Sequence, residues 1–222
     1  MRFVSLFLVL CSVNSFCQEY KKNSKTKEQK EDSYNKYQSE QITKTDLLKA
    51  LEMSGVGIFK FPLDSFDKPY KMSINLDEYV NSEKINSKHI YSFKNIYSYY
   101  ENVAGKAKPY LDYIDQLVFF SKESDSLCAL KIETYGGGIG GIKLKKNTER
   151  RNQYYNWRSY SNINWELNKN TPLLIYASSW FDKKNNFERF CGVVDLSKDE
   201  NGTKELLENS PHYYIISYEV TN

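Results

Sequence analysis

From Leu117 onward the chain alternates short apolar runs with polar turns, and this pattern constrains its fold more than any other feature. Residues 117–121 and 127–134 flank the polar stretch Lys122-Glu123-Ser124-Asp125 and read as a hairpin. In the second run Cys128, Leu130 and Ile132 alternate with Lys131 and Glu133, the two-residue period of a half-buried strand. Residues 139–145 read as a third strand. Residues 171–181 and 187–195 read as a second hairpin over Lys183-Lys184-Asn185-Asn186, and residues 213–220 as the closing strand. Hairpin follows hairpin without strand–helix–strand alternation, so the sheet is expected to be mainly antiparallel.

Helical signals are fewer. Thr43-Lys44-Thr45-Asp46 fits a capping box, in which the threonine hydroxyl and the acidic side chain satisfy each other's backbone donors. Leu47, Leu48 and Leu51 continue it as a helical stripe, and Gly55 can end it. Residues 56–61, stopped by Pro62, and residues 71–76 read as strands. In residues 87–104, Ile90, Phe93, Ile96, Tyr100 and Val103 recur at helical spacing, which favours a helix although the tyrosine content also suits strands. A short helix over residues 203–208 precedes Pro211. The expected fold is α+β: a mainly antiparallel sheet of six to seven strands with one or two helices packed on it. An all-β sandwich or barrel is the alternative.

The N-terminus has the parts of a cleavable export signal. Arg2 supplies the charge, residues 3–13 the apolar run, and Ser15-Phe16-Cys17 the small residues before a cut at Gln18. The apolar run is shorter than the roughly 18 residues a spanning helix requires. Residues 18–40 are polar, charged with both signs, and read as a flexible linker, which leaves residues 41–222 as one globular domain. The expectation is an exported bacterial protein, periplasmic or extracellular, with no transmembrane anchor in the mature chain. Export into an oxidising compartment makes a disulfide between Cys128 and Cys191 one reading; two separate buried thiols is the other.

Lys plus Arg total 31 against 28 Asp plus Glu, so the chain lacks the basic excess of a nucleic-acid binder. Gly136, Gly138 and Gly141 formally match G-x-G-x-x-G, but the strand-like Ile142-Lys143-Leu144-Lys145 follows where a dinucleotide site needs a helix. Gly136, Gly137, Gly138, Gly140 and Gly141 therefore read as a loop or bulged hairpin, with a backbone-lined ligand loop as the sharper alternative.

Residues 150–165 are the most site-like stretch. Arg150, Arg151 and Arg158 interleave there with Tyr154, Tyr155, Trp157, Tyr160 and several asparagines. Aromatic faces stack on rings while Arg and Asn bond polar edges, so these residues are candidates for binding a glycan or a protein surface. A pair of strands with cross-strand aromatic packing is the structural alternative. His89 and His212 stand alone, and nothing has zinc-ligand spacing, so neither a metal nor a cofactor is expected. Asp112, Asp115, Glu133 and Glu166 offer carboxylates without marking a catalytic pair. The leading expectation is an exported non-catalytic binding domain for a glycan or a protein. An envelope immunity or inhibitor protein, and a hydrolase with dispersed catalytic residues, are the alternatives.

Overall fold

The computed structural model describes residues 42–63, 65–134, 137–161, 163–193, 195–197 and 201–222; the export signal, the linker and Gly136 lie outside them. The described residues form fourteen strands and two helices, a mostly β fold with predominantly antiparallel pairing. Residues Leu48–Asn222 make one compact unit.

Strands β1 (Val56–Pro62), β6 (Gln116–Glu123), β7 (Leu127–Thr134) and β8 (Gly137–Lys145) form a four-stranded sheet in the order β1-β6-β7-β8. A six-stranded sheet contains β2 (Lys71–Val80), β3 (Glu83–Lys94), β9 (Tyr155–Tyr160), β10 (Asn170–Ser178), β13 (Asp195–Leu196) and β14 (His212–Thr221) in the order β13-β9-β10-β14-β2-β3. The β13–β9 pair is parallel. Two ribbons stand apart from these sheets: β4 (Ile96–Val103) with β5 (Lys106–Tyr113), and β11 (Trp180–Asp182) with β12 (Phe187–Arg189).

The two larger sheets share one core. From the four-stranded sheet, Leu117 and Phe119 on β6 and Cys128, Leu130 and Ile132 on β7 are buried. They join Met72 and Ile74, Leu174 and Tyr176, and Tyr214, Ile216 and Tyr218 from the six-stranded sheet in a single apolar cluster. Residues of the opposite parity, Ile175, Ala177 and Tyr213, turn to a second cluster with Tyr160, Trp180, Cys191 and Leu196. Leu206 of helix α2 (Asn201–Asn209) belongs to that second cluster. The six-stranded sheet is thus covered on both faces, which is why β10 reads Leu173-Leu174-Ile175-Tyr176-Ala177 without polar alternation.

The helix expected over residues 87–104 is not formed. Two tight turns decide this: Asn81-Ser82 (φ 50° and 66°) joins β2 to β3, and Ala104-Gly105 (φ 53° and 78°) joins β4 to β5. Positive φ at both central residues matches the twist of paired strands, so both turns close hairpins. The apparent helical stripe divides accordingly: Ile90 and Phe93 pack on the core, whereas Tyr100 is exposed. The strand count also exceeds six to seven. The expected strand over residues 171–181 breaks at Ser179, whose N–H bonds Tyr154 O, so β10 pairs with β9 and β14, and only the short β11–β12 ribbon crosses residues 183–186.

The disulfide reading also gives way. Cys128 and Cys191 are free and buried, one in each apolar cluster. Burial, with the nearby Glu123 charge, pushes the Cys128 thiol up to about 12, so it stays protonated and unreactive. Among the described residues no helix is long and apolar enough to cross a membrane, a statement that leaves β-barrels aside. Alkylation of the unfolded chain without reductant is expected to modify both Cys128 and Cys191, whereas the folded chain is expected to protect both. A peptide carrying the two in disulfide linkage would contradict this packing.

Candidate functional site

Helix α1 (Lys44–Met53) begins with the expected cap: Thr43 Oγ1 accepts from the Asp46 N–H at 3.2 Å, and the Asp46 carboxylate accepts from the Thr43 N–H at 3.0 Å. None of its ten residues is buried. It ends at Gly55, whose φ of 73° is left-handed and whose carbonyl accepts from the Glu123 N–H at 2.7 Å. A Cβ on Gly55 would stand 2.8 Å from Glu123 Cβ, so the turn needs glycine for both its backbone and its closeness to β6. Gly55→Ala is expected to lower stability by about 1–2 kcal/mol through left-handed strain and this contact, read as a shift in the urea midpoint.

Beyond this turn lies a cleft of about 500 Å³. Leu48 and Leu51 form its helical rim, Ile58 and Phe59 of β1 one wall, and Tyr155 and Trp157 of β9 its inner side. Ser121 lies deepest: it is 2% exposed, and its hydroxyl has no hydrogen-bond partner. Gly57 makes room for that hydroxyl, since a Cβ there would approach Ser121 Oγ to 2.6 Å. Beside it the Glu123 carboxylate is occupied, accepting from Tyr176 Oη at 2.7 Å and pairing with Lys146 at 2.5 Å. Burial and this bond raise the Tyr176 pKa, so its hydroxyl remains a donor.

Behind Tyr155 runs a buried polar chain. The Tyr155 hydroxyl lies 2.6 Å from His212 Nδ1, and His212 Nε2 lies 3.0 Å from Glu78 Oε1. Tyr214 Oη donates to the same Glu78 oxygen at 2.9 Å. The sequence of carboxylate, imidazole and hydroxyl has the form of a proton relay. The Tyr155 hydroxyl, however, also accepts from the Asn147 N–H and donates to the Asn147 carbonyl, and burial lifts its pKa to about 12. A protonated hydroxyl with its bonds spent inside the protein ties β9, β14 and β2 together; it is not an activated nucleophile.

Burial opposes the charge on Glu78, but bonds from His212 and Tyr214 outweigh it and hold its pKa below the ordinary value of 4.5. A carboxylate with a folded-state pKa below its unfolded one stabilises the fold above the unfolded value. That contribution is lost as pH falls through the folded value. Glu78→Gln is therefore expected to be less stable than wild type at neutral pH and to lose less stability on acidification below about 4.5. Denaturation midpoints measured down the pH scale would check this; parallel curves would remove Glu78 from the account.

The residues singled out in the sequence separate in space. Tyr155 and Trp157 reach the cleft, although each is only 8% exposed and belongs mainly to the core. Tyr160 is buried in the second cluster. Arg158 stacks 4.7 Å from the Phe190 ring and donates to the carbonyls of Val193, Cys191 and Trp157. Arg150 pairs with Glu188 at 2.6 Å, half-exposed Tyr154 lies near Phe190, and Arg151 points to solvent. Gly137, Gly138, Gly140 and Gly141 sit on β8, across the sheet from the cleft wall β1, with Gly140 (φ 158°) beside a bulge. His89 is exposed and bonds Asn75 and Ser92. Asp112 lies on β5, Glu133 pairs with Lys131 and Glu166 with Lys169. Among the described residues no cluster of three or more His, Cys, Asp or Glu could hold a metal ion.

Ser121, Glu123 and Glu78 were missed in the sequence reading. The first two had a signal: they continue the inward phase of Leu117 and Phe119, and so are polar groups at the end of an apolar stripe. Glu78 had none.

Fold and cleft together define a β-rich α+β domain with a small cleft at the edge of its shared core. A family described as domain of unknown function DUF5041 matches residues 13–222, and the chain belongs to it. No curated protein and no solved structure matches the chain.

Proposed function

We propose that this chain is an exported, non-catalytic interaction domain that seats an apolar segment of a partner protein in the cleft beneath α1. One observation carries the reading. Helix α1 keeps Leu48 (58% exposed) and Leu51 (41% exposed) on the rim of a cleft whose floor holds the unpartnered Ser121 hydroxyl. Apolar side chains facing water and a buried polar atom without a bond are both unfavourable alone, and one ligand can relieve both. An extended peptide fits this chemistry, because its side chain would fill the space between Leu51 and Phe59 while its backbone bonds Ser121.

A sugar ring fits less well. The aromatic face it would stack on belongs to Trp157, which is already packed against Phe59 and Tyr176. An inhibitor that blocks another envelope protein would work through the same surface. Export rests on Arg2, the apolar run to Val13, and the small residues Ser15 and Cys17 before Gln18.

The test is capture from envelope extract by wild-type chain, Leu51→Asp and Ser121→Val, followed by titration of the captured protein's peptides. Leu51→Asp places a charge on the rim, and Ser121→Val removes the hydroxyl at nearly constant volume. A peptide at about 100 times its Kd is expected to stabilise wild type by roughly 2.7 kcal/mol. Either variant should remove most of that gain while keeping its own unliganded melt cooperative. A partner held equally well by all three proteins would rule the cleft out.

A further inference from the structure

The β4–β5 ribbon is the one large element with no place in the two sheets. Its root is fixed. Asn95 is fully buried, its side-chain oxygen accepts from the Tyr70 N–H at 2.7 Å, and its carbonyl accepts from the Ile114 N–H at 2.8 Å. Beyond that root the ribbon is exposed, with Tyr100 and Leu111 each at 73%. A two-stranded ribbon is marginal in water by itself and gains stability from a third strand or a packed face.

Its two edges differ. Strand β5 carries Lys106, Lys108 and Pro109, the residues that discourage an edge from pairing. Strand β4 reads Ile96-Tyr97-Ser98-Tyr99-Tyr100 with no lysine and no proline, and it pairs with no strand on its other side. The unguarded edge therefore belongs to β4 alone.

We infer that β4 pairs antiparallel with β4 of a second copy of this chain, joining two ribbons into a four-stranded sheet about a two-fold axis. Symmetry supports this occupant. A two-fold axis normal to the sheet puts residues of equal parity opposite each other, so the face bearing Tyr97, Tyr99 and Glu101 meets the same face of its copy. Centred on Tyr99, the pairing sets Tyr99 against Tyr99 of the second copy, Tyr97 against Glu101, and Ser98 against Tyr100. Aromatic pairs across strands are favourable, and a tyrosine hydroxyl can donate to a carboxylate. No like charges meet: Glu101 is the only charge in β4, and its opposite is a tyrosine. The same register covers Tyr100, which the single chain leaves in water.

The test is the mass of the full-length chain in solution, measured by sedimentation over a wide range of concentration. The wild-type chain is expected to move from one mass toward twice that mass as concentration rises. Tyr99→Lys sets two positive charges across the axis and is expected to weaken association about tenfold or more. A variant that fails to fold would show this in its thermal melt, so a second variant is used. Tyr99→Cys places two thiols opposite each other at the axis, and mild oxidation should join two chains at residue 99, as read by peptide mass. A single-chain mass at every concentration would overturn the inference and leave the edge to another occupant. So would a dimer unaffected by Tyr99→Lys, or one without a cross-link at residue 99.

Discussion

Strand β10 carries apolar side chains on both faces, and the architecture follows from having to cover it twice. Leu174 and Tyr176 require the four-stranded sheet on one side; Ile175 and Ala177 require the cluster containing Leu206 and Trp180 on the other. Each such side chain contributes about 1.5–3 kcal/mol when it leaves water, so exposing either face would cost a large part of a typical domain's stability. The segment from Trp180 to α2 is therefore structural: it is the lid of a second core, and Arg158 secures part of it by binding the carbonyls of Cys191 and Val193.

Tyrosine lets this core be large and specific together. Tyr155, Tyr176 and Tyr214 each bury a ring, and each hydroxyl finds a partner at the margin: Asn147 and His212, Glu123, and Glu78 with the Lys145 carbonyl. A buried hydroxyl left unbonded costs about as much as several methylene groups gain, so these partners limit how the strands can shift. The register of β9 and β14 is held by polar pairs as much as by apolar packing. Ser121 stands out against this background, because its neighbours satisfy every tyrosine nearby and leave it alone.

Strand alternation made much of the fold legible in the sequence. The inward set Cys128, Leu130 and Ile132, the closing strand, the Thr43 cap and the helix near Thr203 are all where local pattern places them. Residues 87–104 were misread because their apolar residues happen to fall at helical spacing, while the decisive information sits in two turns. One of these, Ala104-Gly105, needs an alanine at positive φ, which composition does not advertise. The site was less legible for a different reason. An aromatic and arginine-rich segment has the same appearance whether it faces a ligand or the interior, and here Arg158, Tyr160 and most of Trp157 face the interior. What distinguishes the cleft is a hydroxyl with no partner, a property of three-dimensional neighbours that no single sequence displays.

The glycine turn at Gly55 joins two regions under unequal constraint. On one side of it Leu48 and Leu51 shape the cleft without supporting the core; on the other, Trp157 and Tyr155 shape the cleft and the core together. A change at the helical rim alters what the cleft admits at little cost to folding, whereas a change on the floor alters both. The molecule is therefore free to diversify its recognition along one short helix while inheriting the rest unchanged, an arrangement that would let related chains keep one scaffold and acquire different partners.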